Sequence, residues 1–215
     1  PLEVRLDDEL YEDNVTITPE EFYKKINSGM KPSTSQPSVG KVLEVFKNLK
    51  TQGFERIVAF TVTSKLSGTY SSFTQASELI EGIDIKIIDT LQVARIVGCA
   101  VEKIIKDFSN GDLAYENIED KYNKLLKQQN ILVTVENMDF LYAGGRLTKT
   151  KFLLSSFLNI LPIITIKDGI LDVSGKHRGM SKVLGKICEE IKEKNPKSLI
   201  ILYTSDDLLK KAQDV

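Results

Sequence analysis

The chain has 215 residues, 41% of them hydrophobic and 27% charged, with 29 basic and 30 acidic side chains. That length allows one large or two modest domains, each with its own core. The net charge of −1, without a long block of either sign, argues against the basic stripe of a nucleic-acid binder. No stretch approaches the ~18–20 apolar residues of a membrane span, and no signal-peptide pattern is present. Cys99 and Cys188 lie far apart, each in an apolar helical pattern, and read as buried free thiols of a reducing compartment. A soluble cytoplasmic protein without stable membrane insertion is expected.

Residues 1–6 alternate as a strand (Leu2, Val4, Leu6), and 7–14 read as a polar turn. Thr18-Pro19-Glu20-Glu21 is a helix start, with a hydroxyl N-cap, proline at the first position and acids in the first turn. That helix carries Phe22, Tyr23 and Ile26 and ends at Gly29. Residues 31–38 read as a loop restrained by Pro32 and Pro37. A helix with Val39, Val42, Phe46 and Leu49 on one face follows and closes near Gly53. The apolar run 56–62 predicts a strand covered on both faces. After a loop at 63–68 come a helix over 70–80, a buried strand over 83–88 ending in Asp89-Thr90, and helices over 94–108 and 118–128. A third strand of the same β-branched kind is predicted at 131–136. Helices alternating with such strands imply an α/β fold with a mostly parallel sheet flanked by helices.

The character changes beyond Glu136. Gly144-Gly145-Arg146 opens a predicted helix through Phe152 and Phe157. Strands at 162–166 and 170–173 flank Lys167-Asp168-Gly169, a hairpin signal. A helix over 180–192 and a strand over 198–203 complete a smaller mixed α+β domain. The expected division is 1–138 and 139–215, with the linker near 137–146. The chain starts at Pro1 within a strand and stops at Val215 within a helical pattern, as expected for a piece of a longer polypeptide lacking a first strand and a C-terminal segment.

Two hydroxyl-rich runs stand at predicted helix starts: Thr34-Ser35-Gln36-Pro37-Ser38 and Ser67-Gly68-Thr69-Tyr70. Backbone N–H groups at a helix start, flanked by small hydroxyls, suit a carboxylate or phosphate. Ser64, Ser67, Gly68 and Thr69 follow a strand's carboxyl end, where ligands of open parallel sheets collect. Ordinary capping is the competing account of that run, and an exposed turn that of Thr34 and Ser35. Asp89 at a strand end could touch a ligand, orient a loop or cap a helix. Arg146 offers a planar guanidinium for two carboxylate oxygens, or points to solvent from a helix entry. His177 is the sole histidine, and one histidine with two isolated cysteines has no common metal-site spacing. P-loop, Rossmann glycine and nucleophile-elbow patterns are absent from the sequence.

Together these pieces resemble the DegV family of bacterial fatty-acid-binding proteins. The match is carried by Thr34-Ser35-Gln36-Pro37-Ser38, by Ser64-Lys65-Leu66-Ser67-Gly68-Thr69-Tyr70, by Ile88-Asp89-Thr90, and by Gly144-Gly145-Arg146 with Leu158-Asn159-Ile160-Leu161-Pro162-Ile163. Order and spacing fit along essentially the whole sequence. The resemblance implies two domains with a long acyl chain in a tunnel between them and no cofactor. It implies a carboxylate held by the hydroxyls of Thr34 and Ser67, with Arg146 close by. Some members present the lipid to a separate ATP-binding fatty-acid kinase subunit, and Arg178 is similar to a basic position that meets that subunit. Family members usually carry an Asp-Ser-Thr loop before the segment that starts here at Pro1, and a His-Thr-Gly-Pro-Gly stretch near their end. Neither is present, and Asp89-Thr90 replaces the usual Asp-Ser. A monomeric carrier is expected. The alternatives are a hydrolase or acyl-transfer enzyme using Ser67 or Asp89, for which no base is evident near Ser67, and a regulatory protein that binds protein or DNA.

Overall fold

Local sequence sets most of the element boundaries. In the computed structural model, which describes residues 1–146, 160–204 and 206–213, helix α1 (Pro19–Asn27) begins with a complete capping box between Thr18 and Glu21 and Pro19 in its first turn. Helix α2 (Val39–Thr51) is capped by Ser38, whose hydroxyl accepts the Lys41 N–H. Gly29 at φ 104° and Gly53 at φ 89° let the chain turn away after these two helices.

The chain divides into two compact units, Pro1–Gln129 with Asp168–Ile170, and Asn130–Lys167 with Leu171–Val215. In the first, β4 (Arg56–Thr61) and β5 (Asp84–Asp89) form a parallel pair in the register Ile57↔Ile85 to Thr61↔Asp89. Successive side chains leave opposite faces. Ile57, Ile85 and Ile87 pack with Val42 and Phe46 of α2 and Ala76 of α3 (Thr69–Glu78). Val58, Phe60 and Ile88 pack on the other face with Ala100 and Ile104 of α4 (Arg95–Ser109) and with Ile118 and Tyr122 of α5 (Ile118–Leu126). Helices therefore cover both faces of this pair, as the continuous apolar runs predict.

A second sheet, in the order β2–β1–β3, is antiparallel throughout and pairs β1 (Glu3–Leu6) with β2 (Glu9–Glu12) and with β3 (Pro32–Ser35). The polar turn expected at 7–14 is thus a tight turn at Asp7-Asp8 followed by a strand. The loop expected at 31–38 is half strand. Neither segment is β-prone by composition; both are held extended by the ladder to β1, whose Val4 and Leu6 bury against Ile17, Phe22 and Ile26.

The second unit contains helix α6 (Asp139–Ala143), β6 (Ile160–Lys167) and β7 (Ile170–Arg178), α7 (Met180–Lys194) and α8 (Asp206–Gln213). The strands join through Asp168 at φ 51° and Gly169 at φ 81°, the two positive values that a two-residue type I′ hairpin needs. Lys176, His177 and Arg178 lie within β7 rather than after the hairpin. Residues 131–136 form no strand; Val133 makes an isolated antiparallel bridge to Ile164 in this unit. Residues 198–203 form none either, and Leu199 to Tyr203 are 49–62% exposed, without the ladder that an extended apolar run needs. The helix expected through Phe152 and Phe157 lies outside the described residues. Cys99 and Cys188 are free, and half-buried rather than buried. Among the described residues no helix is long and apolar enough to cross a membrane.

Candidate ligand-binding site

The loops that leave the carboxyl ends of β4 and β5 are locked together by buried hydroxyls. Thr61, Thr63 and Thr90 are almost wholly buried. The Thr63 N–H donates to the Gln92 carbonyl at 3.0 Å, and the Thr90 N–H to the Thr61 carbonyl at 3.2 Å. Thr90 Oγ1 donates to the Gln92 carbonyl at 3.2 Å, and the Tyr122 hydroxyl to the Thr90 carbonyl at 2.8 Å. Burial holds the Tyr122 phenol above its ordinary range, its hydrogen bond to Thr90 partly opposing the effect, so the group stays a neutral donor. Thr63 Oγ1 donates to the Gly169 carbonyl at 2.9 Å.

This frame presents the second hydroxyl run. Asp89 Oδ1 accepts the Ser64 N–H at 3.0 Å and the Leu91 N–H at 3.2 Å, so the carboxylate orients this loop. The Ser67 and Thr69 hydroxyls hydrogen-bond at 2.9 Å, and Ser67 Oγ accepts the Thr69 N–H at 3.3 Å. Gly68 is the N-cap of α3 and supplies no side-chain cap. The start of α3 therefore offers backbone N–H groups beside two hydroxyls, with Ser64 exposed nearby.

The first run meets the second through Gln36. A methyl group built on Gly68 would collide with the Gln36 carboxamide, so Gly68 is where the two loops touch. Thr34, Ser35 and Gln36 are exposed. The register Val4↔Thr34 and Glu3↔Ser35 sends Thr34 and Ser35 to opposite faces of the β1–β3 ladder. The Ser35 hydroxyl donates to Glu3 Oε2 at 3.1 Å, and Ser38 is occupied as the cap of α2.

Arg146 and Arg178 belong to the second unit, both exposed. Arg146 follows α6, and its guanidinium donates to the Gly144 carbonyl. Arg178 closes β7. Among the described residues no group of three His, Cys, Asp or Glu side chains is placed to hold a metal. Sequence reasoning singled out Gln36 within the first run without a role for it, and gave none to Thr63, Gln92 and Tyr122. Thr63 carried a usable signal, since it directly follows a buried strand. The buried Gln92, whose Oε1 accepts no hydrogen bond among the described residues, carried none.

Comparison with known proteins adds independent findings. A DegV domain-containing protein of Caldanaerobacter subterraneus is 34% identical over 192 residues, covering 89% of this chain and 68% of the relative. The solved structure of a stearic-acid-binding protein from Eubacterium ventriosum matches with a TM-score of 0.82 at 30% identity, over 90% of this chain and 68% of that one. A structure described as showing fatty-acid binding by a DegV family protein from Thermus thermophilus matches with a TM-score of 0.80 at 27% identity, over 90% and 69%. The DegV family model, described as that of an uncharacterised protein family, matches residues 1–215. The chain belongs to the DegV family.

Proposed function

We propose that this protein binds a long-chain fatty acid with its carboxylate at the start of α3. Thr34 and Ser67 take the oxygens, aided by Thr69, Ser64 and the N–H groups next to Gly68. Arg146 stands close to the head group, and the tail lies in a tunnel between the two domains, as the family resemblance implies. Ser35 and Asp89 act from behind, one bonded to Glu3 and the other to the loop backbone. The observation that carries this reading is the touch of Gln36 on Gly68, which joins two hydroxyl-bearing loops at a helix start. It agrees with what the relatives from Eubacterium ventriosum and Thermus thermophilus are described as binding.

The energetics fit such a division of labour. Burying a tail contributes about 0.8 kcal/mol per methylene, so affinity comes from the chain. The head must not be left unpaired, because an unsatisfied buried carboxylate costs several kcal/mol. Hydroxyls and backbone N–H groups meet that need while leaving an oxygen open. The role is carriage by a monomer, with presentation to an ATP-binding kinase subunit that meets Arg178 and phosphorylates the carboxylate. Hydrolysis by Ser67 or Asp89 is the weaker reading. Ser67 pairs with the Thr69 hydroxyl rather than with a base, and Asp89 accepts two backbone N–H bonds.

The test is mass spectrometry of protein purified from bacteria and then denatured. Fatty acid released in stoichiometric amount is the expected result. Ser67→Ala should weaken stearate binding roughly tenfold, the loss of one hydrogen bond to a charged group. Protein that carries no lipid and takes up no stearate would overturn the proposal.

A further inference from the structure

The segment from Thr34 to Ser38 is anchored at both ends to one carboxylate. On its N-terminal side the Ser35 hydroxyl donates to Glu3 Oε2 at 3.1 Å. On its C-terminal side Lys41, in the first turn of α2, gives its N–H to Ser38 Oγ at 3.3 Å. The same Lys41 sends its ammonium to Glu3 Oε1 at 3.1 Å and to Glu12 Oε1 at 2.7 Å. One ion cluster thus ties β1, β2 and α2 to the strand that ends in Thr34 and Ser35.

The ladder alone holds that strand weakly. β3 has four residues, lies at the edge of its sheet, and begins with Pro32, which has no N–H to donate. Register matters here because side chains alternate. Glu3 stands opposite Ser35 and Val4 opposite Thr34, so a slip of one residue would exchange the faces of Ser35 and Thr34. Bonding Ser35 to Glu3 selects the register in which Thr34 takes the other face, and Lys41 fixes the carboxylate that does so.

We propose that Glu3 and Lys41 are positioning residues for the loop carrying Thr34 and Gln36, acting on the ligand through that loop without touching it. The consequence for binding rests on the fatty-acid reading above; the clamp itself does not. In the full chain, Lys41→Met should raise amide hydrogen exchange at residues 33–36 roughly three- to fivefold, the scale of a half-exposed ion pair. Exchange in β4 and β5 should stay unchanged. Release of bound stearate should quicken by the same factor, and Lys41→Arg, which can still reach both carboxylates, should restore both values. Unchanged exchange at 33–36 in Lys41→Met would overturn the clamp. Raised exchange with unchanged stearate release would overturn its positioning role. If the unaltered protein binds no stearate, the proposed function falls while the exchange measurement still decides the clamp.

Discussion

Gly68 is glycine for reasons of space. Its φ of −76° is open to any residue, but a methyl group there would collide with the Gln36 carboxamide. The obstacle is the far end of a flexible side chain, so the fold can absorb the change while the two loops cannot keep their contact. Gly68→Ala should therefore shift the melting temperature by no more than about 2 °C, a small fraction of the stability of a chain this size, yet weaken stearate binding. In a Gln36→Ala background the same methyl should add nothing further. A double-mutant cycle on binding should show about 1 kcal/mol of coupling, and strictly additive losses would mean that the loops do not touch. Hydroxyls that follow strands and open helices are legible in the sequence because capping is local chemistry. The role of Gln36 is not, since it depends on a residue far along the chain. Asp89 is intermediate: its place at a strand end is readable, but its bonds to the Ser64 and Leu91 N–H groups are not.

At the scale of elements, starts with local signals were readable and tertiary pairings were not. Thr18-Pro19 and Ser38 marked α1 and α2 because a cap lies within three residues of what it caps. β2 and β3 went unread because Pro, Ser and Glu become strand only through their ladder to β1. The start of α4 shows a conflict of another kind. Its N-cap Ala94 has φ 57° and ψ −154°, a conformation in which a side chain is strained and glycine is not. Ala94 is exposed, so replacing it removes no buried surface. Ala94→Gly should accordingly raise the free energy of unfolding by about 1 kcal/mol in a urea titration, the relief of strain exceeding the added freedom of the unfolded chain. A loss of stability would show that the turn between Thr90 and α4 does not require this backbone.

For the whole molecule, a near-zero net charge conceals many pairings that composition cannot disclose. Lys121 Nζ reaches Asp107 Oδ2 at 2.5 Å and joins α5 to α4, with Lys103 at 3.7 Å from the other oxygen. Lys41 bridges Glu3 and Glu12, and Lys25 pairs with Glu9 at 2.8 Å. Asp107 is held below its ordinary value of 3.8, chiefly by the hydrogen bond from Lys121. Glu3, Glu9, Glu21 and Glu189 are held below 4.5, by hydrogen bonds from Lys41, Lys25, the Thr18 backbone and Lys186 respectively. In every case the folded form binds its proton less readily than the unfolded chain does. Their stabilisation is therefore present above about pH 4.5, the ordinary glutamate value, and is lost as pH falls through the depressed values of the folded state. Glu9, Glu21 and Glu189 are exposed and Glu3 and Asp107 half-buried, so the effect is spread and should weaken in high salt, least at Asp107. The melting temperature should hold nearly level from pH 8 to about pH 5 and then decline steadily towards pH 3. Asp107→Asn should lower it at pH 7 and flatten the decline below pH 4, because the variant has already lost the charge that acid removes. A decline as steep in Asp107→Asn as in the unaltered chain would mean that the tie between α4 and α5 does not contribute to acid sensitivity.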